Sequence, residues 1–127
     1  MNWGQLIPEL FKTRKAIAIE MQVHGRTADT DRPLSYQALE SDIAGALNYL
    51  KIDRANVLDY CLGGTVGYQF AISYPKMLNR LIVVSSVYKC DGWLPKVRNI
   101  LQSMPPQFAD NTPLKTEYFR ITPGTSH

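Results

Sequence analysis

The chain has 127 residues, 45% apolar and 20% charged, with a formal net charge of +3, which is the composition of an ordinary globular chain with a single core. Its densest basic group is Lys12, Arg14 and Lys15, too small a cluster for a nucleic-acid-binding face. No apolar run nears the ~20 residues of a membrane span, and the opening "MNWGQLIPEL" lacks the basic-then-apolar order of a signal peptide, so a cytoplasmic protein without nucleic-acid or membrane partners is expected.

Trp3, Leu6, Ile7, Leu10 and Phe11 recur at helical spacing and predict a short amphipathic helix. "KAIAIEMQ" alternates and then runs apolar through Ala16, Ile17, Ala18, Ile19 and Met21, which predicts a buried strand. "VHGRTADTDRP" is rich in turn formers and reads as a loop. Ser35 is a candidate N-cap for a helix carrying Leu39, Ile43, Leu47 and Leu50 on one face. "ANVLDY" reads as a second buried strand, Gly63 to Tyr74 as a helix ended by Pro75, and "RLIVVSSV" as a third strand.

Helices alternating with buried strands imply parallel βαβ units. The expected class is therefore α/β, a parallel sheet of about three strands with flanking helices. Beyond residue 90 the character changes to a proline-rich stretch with helical patterns near Pro95–Met104 and Thr112–Phe119. Residues 1–90 are expected to form the core and residues 91–127 a cap-like helical segment.

Cys61 stands on the corner between an apolar strand and a helix opened by Gly63 and Gly64. That is the setting of a nucleophile elbow, a strained turn that exposes the nucleophile above the carboxyl edge of a sheet and needs small neighbours. The backbone N–H after it, here that of Leu62, faces the oxyanion from a helix N-terminus. Two cysteines, Cys61 and Cys90, make neither a disulfide framework nor a zinc site, and Cys90 reads as a packing or loop residue.

These motifs and their order make the chain resemble the middle of an α/β-hydrolase of the esterase/haloperoxidase-like group. The resemblance rests on Glu20-Met21-Gln22-Val23-His24-Gly25-Arg26-Thr27 against a loop of type D/E-x-x-G-H-G-x-[ST]. It rests also on Asp59 to Gly64 against G-x-S-x-G-G, and on Ala71 to Pro75 against A-x-x-x-P. It implies carboxylic-ester chemistry with no metal and no organic cofactor. Cys61 replaces the family's serine, as in dienelactone hydrolases, and a thiolate is a competent nucleophile. Asp59 replaces a glycine, crowds the elbow and opposes thiolate formation by like charge.

The resemblance further implies that the strand with the second oxyanion N–H, the triad acid and the triad histidine fall outside these 127 residues. Loss of one triad member costs about 10⁴-fold or more in well-studied hydrolases, so weak activity is expected. His24 lies at the same sheet edge as Cys61 and is either a base or a loop residue shaping the pocket rim. His127 is terminal, and Asp91 either orients a histidine or is a turn aspartate before Gly92. Tyr88 and Trp93 are expected in core and cap contacts. Two readings stay open. One is hydrolysis of small esters or thioesters through Cys61. The other is an inactive hydrolase acting as an assembly or binding module, with a homo-oligomer formed by strand exchange or edge pairing.

Overall fold

The computed structural model describes residues 3–110, 112, 113, 115 and 116. Its elements in chain order are α1 (Leu6–Phe11), α2 (Tyr36–Tyr49), β1 (Ala55–Tyr60), α3 (Leu62–Ser73), β2 (Leu78–Val84) and α4 (Pro95–Ser103), with short 3-10 turns at Pro75–Met77, Cys90–Gly92 and Pro106–Ala109. Among the described residues the sheet has two parallel strands, with Val57 opposite Leu81, Tyr60 opposite Val84, and a register shift between Ala55 and Asn56. The α/β class is as expected.

Ala16–Met21, expected as a strand, is not one. A strand persists only where its N–H and C=O groups join a ladder, and none forms here among the described residues. Ile17 and Ile19 are exposed, so the alternating pattern has no second layer to bury against. The third expected strand is real but begins at Leu78 rather than Arg80 and ends at Val84.

The core is the seam between α2 and α3. Leu39, Ile43, Ala44 and Leu47 recur at helical spacing on α2 and bury against Val66 and Phe70 of α3, with Met21, Ile52, Val57 and Leu78 packed around them. Phe70 stacks on Tyr74 with ring centroids 5.4 Å apart. As expected, Ser35 caps α2, its Oγ accepting from the Ala38 N–H at 3.1 Å. The helix closes on a Schellman pair, in which the Ile52 N–H donates to the Leu47 carbonyl and the Lys51 N–H to that of Asn48.

The glycines of α3 let it lie close on the sheet. A Cβ on Gly64 would fall 2.6 Å from Val83 Cγ1, and one on Gly67 would fall 3.0 Å from Leu81 Cδ1. On the opposite face of β2, Ile82 is exposed. Helix α1 buries no residue. Tyr88, expected in core and cap contacts, is exposed instead, whereas Trp93 lines a shallow cleft with Arg98, Leu101 and Gln102 of the cap-like segment. The Lys89 ammonium lies 5.6 Å from the Tyr88 ring centroid. His127 and half of the helical pattern at 112–119 lie outside the described residues.

Candidate functional site

Strand β1 ends at Tyr60 and α3 begins at Leu62, so the chain reverses within one residue. Cys61 is that residue. Its backbone sits at φ 55° and ψ −114°, a region that L-residues occupy only at a cost and that clusters at functional sites. The corner is tied to the neighbouring strand, because the Cys61 N–H donates to the Val84 carbonyl at 3.0 Å. Its side chain is exposed and does not cap the helix, which leaves the sulfur without a hydrogen bond among the described residues, beyond the carboxyl end of β1. Leu62 opens α3, so its N–H has no acceptor within the helix and the positive end of the helix dipole adjoins the thiol.

Asp59 fits the corner because the helix makes room for it. A Cβ on Gly63 would lie 3.3 Å from Asp59 Oδ1, and the Asp59 carboxyl also fills the space beside Gly67. The volume lost at positions 63 and 67 is the volume taken by the carboxyl. Asp59 Oδ2 is buried without a hydrogen-bond partner among the described residues. Burial pushes this carboxyl up to about 6, because desolvation disfavours the charged form.

His24 sits in a turn in which its own N–H donates to the Met21 carbonyl at 2.9 Å. Its Nδ1 lies 2.8 Å from the Gln22 carbonyl. A carbonyl only accepts, so Nδ1 carries the proton and Nε2 is left with its lone pair. The ring is exposed, and no hydrogen bond joins it to Cys61 among the described residues. The Asp91 carboxylate pairs with the Lys89 ammonium at 2.9 Å rather than with a histidine. The described residues contain no cluster of three or more His, Cys, Asp or Glu side chains able to hold a metal.

A polar network around the loop before α2 was not foreseen. Gln22 is buried and fully engaged. Its Nε2 donates to Asp29 Oδ1 at 2.7 Å, and its Oε1 accepts from Arg32 Nε at 2.8 Å. Arg32 continues to Asp42 on α2, so the loop carrying His24 is fastened to a core helix. Likewise Thr65 Oγ1 and Ser86 Oγ, 3.2 Å apart, link α3 to the segment after β2.

No protein-family model matches the chain. A 2-hydroxy-6-oxo-2,4-heptadienoate hydrolase from Pseudomonas putida is 31% identical over 90 residues, 68% of this chain and 32% of that protein. A 2-hydroxymuconate semialdehyde hydrolase from a Pseudomonas species is 29% identical over 86 residues, 67% of this chain and 30% of that protein. A putative carbamate hydrolase from a Caulobacter species is 27% identical over 92 residues, 72% of this chain and 32% of that protein. The chain thus spans about a third of the length of these relatives. A hydrolase from Pseudomonas aeruginosa has a similar structure, with TM-score 0.67 and 20% identity over 98% of this chain and 54% of that one. The sequence likeness to these hydrolases and the structural likeness to a further one agree, and the chain belongs to the α/β-hydrolase superfamily.

Proposed function

We propose that Cys61 is the nucleophile of an acyl-transfer site that hydrolyses small carboxylic esters or thioesters weakly. The observation that carries this reading is the Cys61 backbone at φ 55° and ψ −114° with an exposed, unengaged sulfur. A chain gains nothing in packing from holding a cysteine in that conformation, and strain of this kind is characteristic of catalytic corners. The thiolate attacks the carbonyl carbon, and the oxyanion forms beside the Leu62 N–H. Collapse expels the alcohol or thiol, which takes up the proton given by Cys61. Water then hydrolyses the enzyme thioester. His24 is the proposed base, through its free Nε2. Because no hydrogen bond among the described residues joins it to Cys61, slow deacylation is expected. The relatives' names span dienoate, semialdehyde and carbamate substrates, and the support for acyl chemistry is the Cys61 corner itself.

The test is nitrophenol release from a short-chain nitrophenyl ester by the wild type, Cys61→Ala and His24→Ala. The expected outcome is a burst followed by slow turnover in the wild type. Both vanish in Cys61→Ala, and the slow phase alone falls in His24→Ala. Equal traces from the wild type and Cys61→Ala would overturn the proposal.

A second reading is an inactive homo-oligomeric module. Its support is the open sheet, in which both outer strand edges are unpaired among the described residues and apolar side chains such as Ile82 and Ile72 are exposed.

A further inference from the structure

Strand β2 ends as β1 does, on a residue with positive φ. Ser85 follows Val84 at φ 53°, just as Cys61 follows Tyr60 at φ 55°. The ladder sets the two side by side. Tyr60 pairs with Val84, and the Cys61 N–H donates to the Val84 carbonyl at 3.0 Å. Ser85, the next residue, therefore lies about one strand spacing from Cys61, roughly 5 Å. Turn chemistry alone does not account for a serine here. Glycine and asparagine take a positive φ at little cost and serine does not. Residues other than glycine held in such conformations cluster at functional sites.

The position of Ser85 is fixed while its hydroxyl is free. On one side Val84 is held by Cys61. On the other, Thr65 Oγ1 of α3 lies 3.2 Å from Ser86 Oγ and donates to the Val87 carbonyl at 3.3 Å. The residues flanking Ser85 are thus fastened to the Cys61 corner and to the helix it opens. Ser85 itself is exposed, and its side chain makes no hydrogen bond among the described residues. Its hydroxyl keeps a proton to donate at the carboxyl edge of the sheet, where open α/β folds take their ligands. We propose that the Ser85 hydroxyl is a catalytic donor that hydrogen-bonds the carbonyl oxygen of an acyl group in transfer to Cys61. The inference rests on the reading of Cys61 as nucleophile, and it adds a residue that neither the loop pattern nor the elbow pattern contains. As the thiolate adds to the carbonyl carbon, the C–S bond forms and the C=O pair moves onto oxygen. That oxygen accepts from Ser85 Oγ as well as from the Leu62 N–H. The proton stays on the serine, and the oxygen returns its pair to carbon as the alcohol or thiol leaves.

The experiment compares two reactions of the same thiol. Acylation by a nitrophenyl butyrate ester passes through an oxyanion. Alkylation by iodoacetamide does not. There the thiolate attacks the methylene carbon, a C–S bond forms, iodide leaves with the bonding pair, and the thiol proton goes to solvent. Both rates are read on the peptide containing Cys61 by mass mapping of the full chain. Ser85→Gly removes the hydroxyl and suits the backbone, so it does not threaten folding. Ser85→Asn also tolerates the backbone and restores a donor. Acylation should fall about 100-fold in Ser85→Gly, the scale of one lost oxyanion donor, and most of that loss should be recovered in Ser85→Asn. Alkylation, which develops no oxyanion, should stay within about twofold of the wild type in both variants. A role confined to holding the corner would slow both reactions together. That result, like acylation unchanged in Ser85→Gly, overturns the assignment and leaves Cys61 as nucleophile. A wild type that gains no acyl group on Cys61 overturns the hydrolase reading and the assignment with it.

Discussion

At the scale of single residues, two positions carry unfavourable energy that substitution can release. Val23 sits at φ 58°, where a β-branched side chain is a genuine outlier. The loop pattern that the chain resembles has glycine at this position, so the positive φ was legible in the sequence once Val23 was set against it. Val23→Gly is expected to raise stability by about 1 kcal/mol, the cost of the left-handed region less part of the glycine entropy. A higher urea midpoint at unchanged slope is the readout, and an unchanged or lower midpoint would contradict the strain. Asp59 is the second position. Its carboxyl titrates at about 6 in the folded chain against an ordinary value of 3.8, so between those pH values the folded state holds the extra proton. Stability from this group therefore rises as pH falls through 6 and levels off below 3.8. Asp59→Asn should raise stability at pH 7 by about 1 kcal/mol and abolish that part of the pH dependence. Glu20 and Asp29 are held below the usual carboxylate range by hydrogen bonds from Arg26 and Gln22 respectively and act with the opposite sign. The difference between wild type and variant isolates Asp59. A difference that does not change between pH 4 and 7 would contradict its burial.

At the scale of elements, the seating of α3 is set by glycine and can be tested by a matched pair of substitutions. A Cβ at Gly64 meets Val83 and Ser86, whereas one at Gly45 meets nothing within 4 Å. Both glycines are helical, so alanine gains about 0.8–1.0 kcal/mol of propensity at each. Gly45→Ala should therefore stabilise by close to that amount. Gly64→Ala should destabilise by about 1–2 kcal/mol, because overpacking a stiff valine against a strand outweighs the gain. Thermal unfolding of the two variants reads the contrast, and stabilisation by both would contradict the close approach. The elements legible in the sequence were those with periodicity and punctuation together. Helix α2 had its Ser35 cap and four apolar positions on one face, and β1 ran unbroken from Ala55 to Tyr60. Ala16–Met21 had strand composition but no ladder partner, and a pairing partner cannot be read from the segment's own residues. The Gln22 network stayed hidden for a similar reason, since Asp29 and Arg32 meet it only through the path of the loop.

At the scale of the whole molecule, the core lies on one side of a two-stranded sheet, and isolated strand edges tend to pair. Association into a homo-oligomer is the expected outcome. Light scattering at micromolar concentration should give a multiple of 14.4 kDa, and a stable monomer would contradict edge pairing. The site follows the same division of legibility. The sharp turn at Cys61 between β1 and α3 was legible because a strand pattern ends there and Gly63 and Gly64 open a helical one. The seating of the Asp59 carboxyl beside Gly63 and Gly67 was not, because the helix face that makes room for it meets the strand only in the fold. The proposed hydrolysis at Cys61 requires a covalent acyl intermediate, and trapping that intermediate tests it at its decisive step. The protein is mixed with a nitrophenyl butyrate ester, quenched in acid within seconds, and mapped by peptide mass. A butyryl group on the peptide containing Cys61, absent from Cys61→Ala, is the predicted result. Nitrophenol release with no acyl group on that peptide would contradict the account.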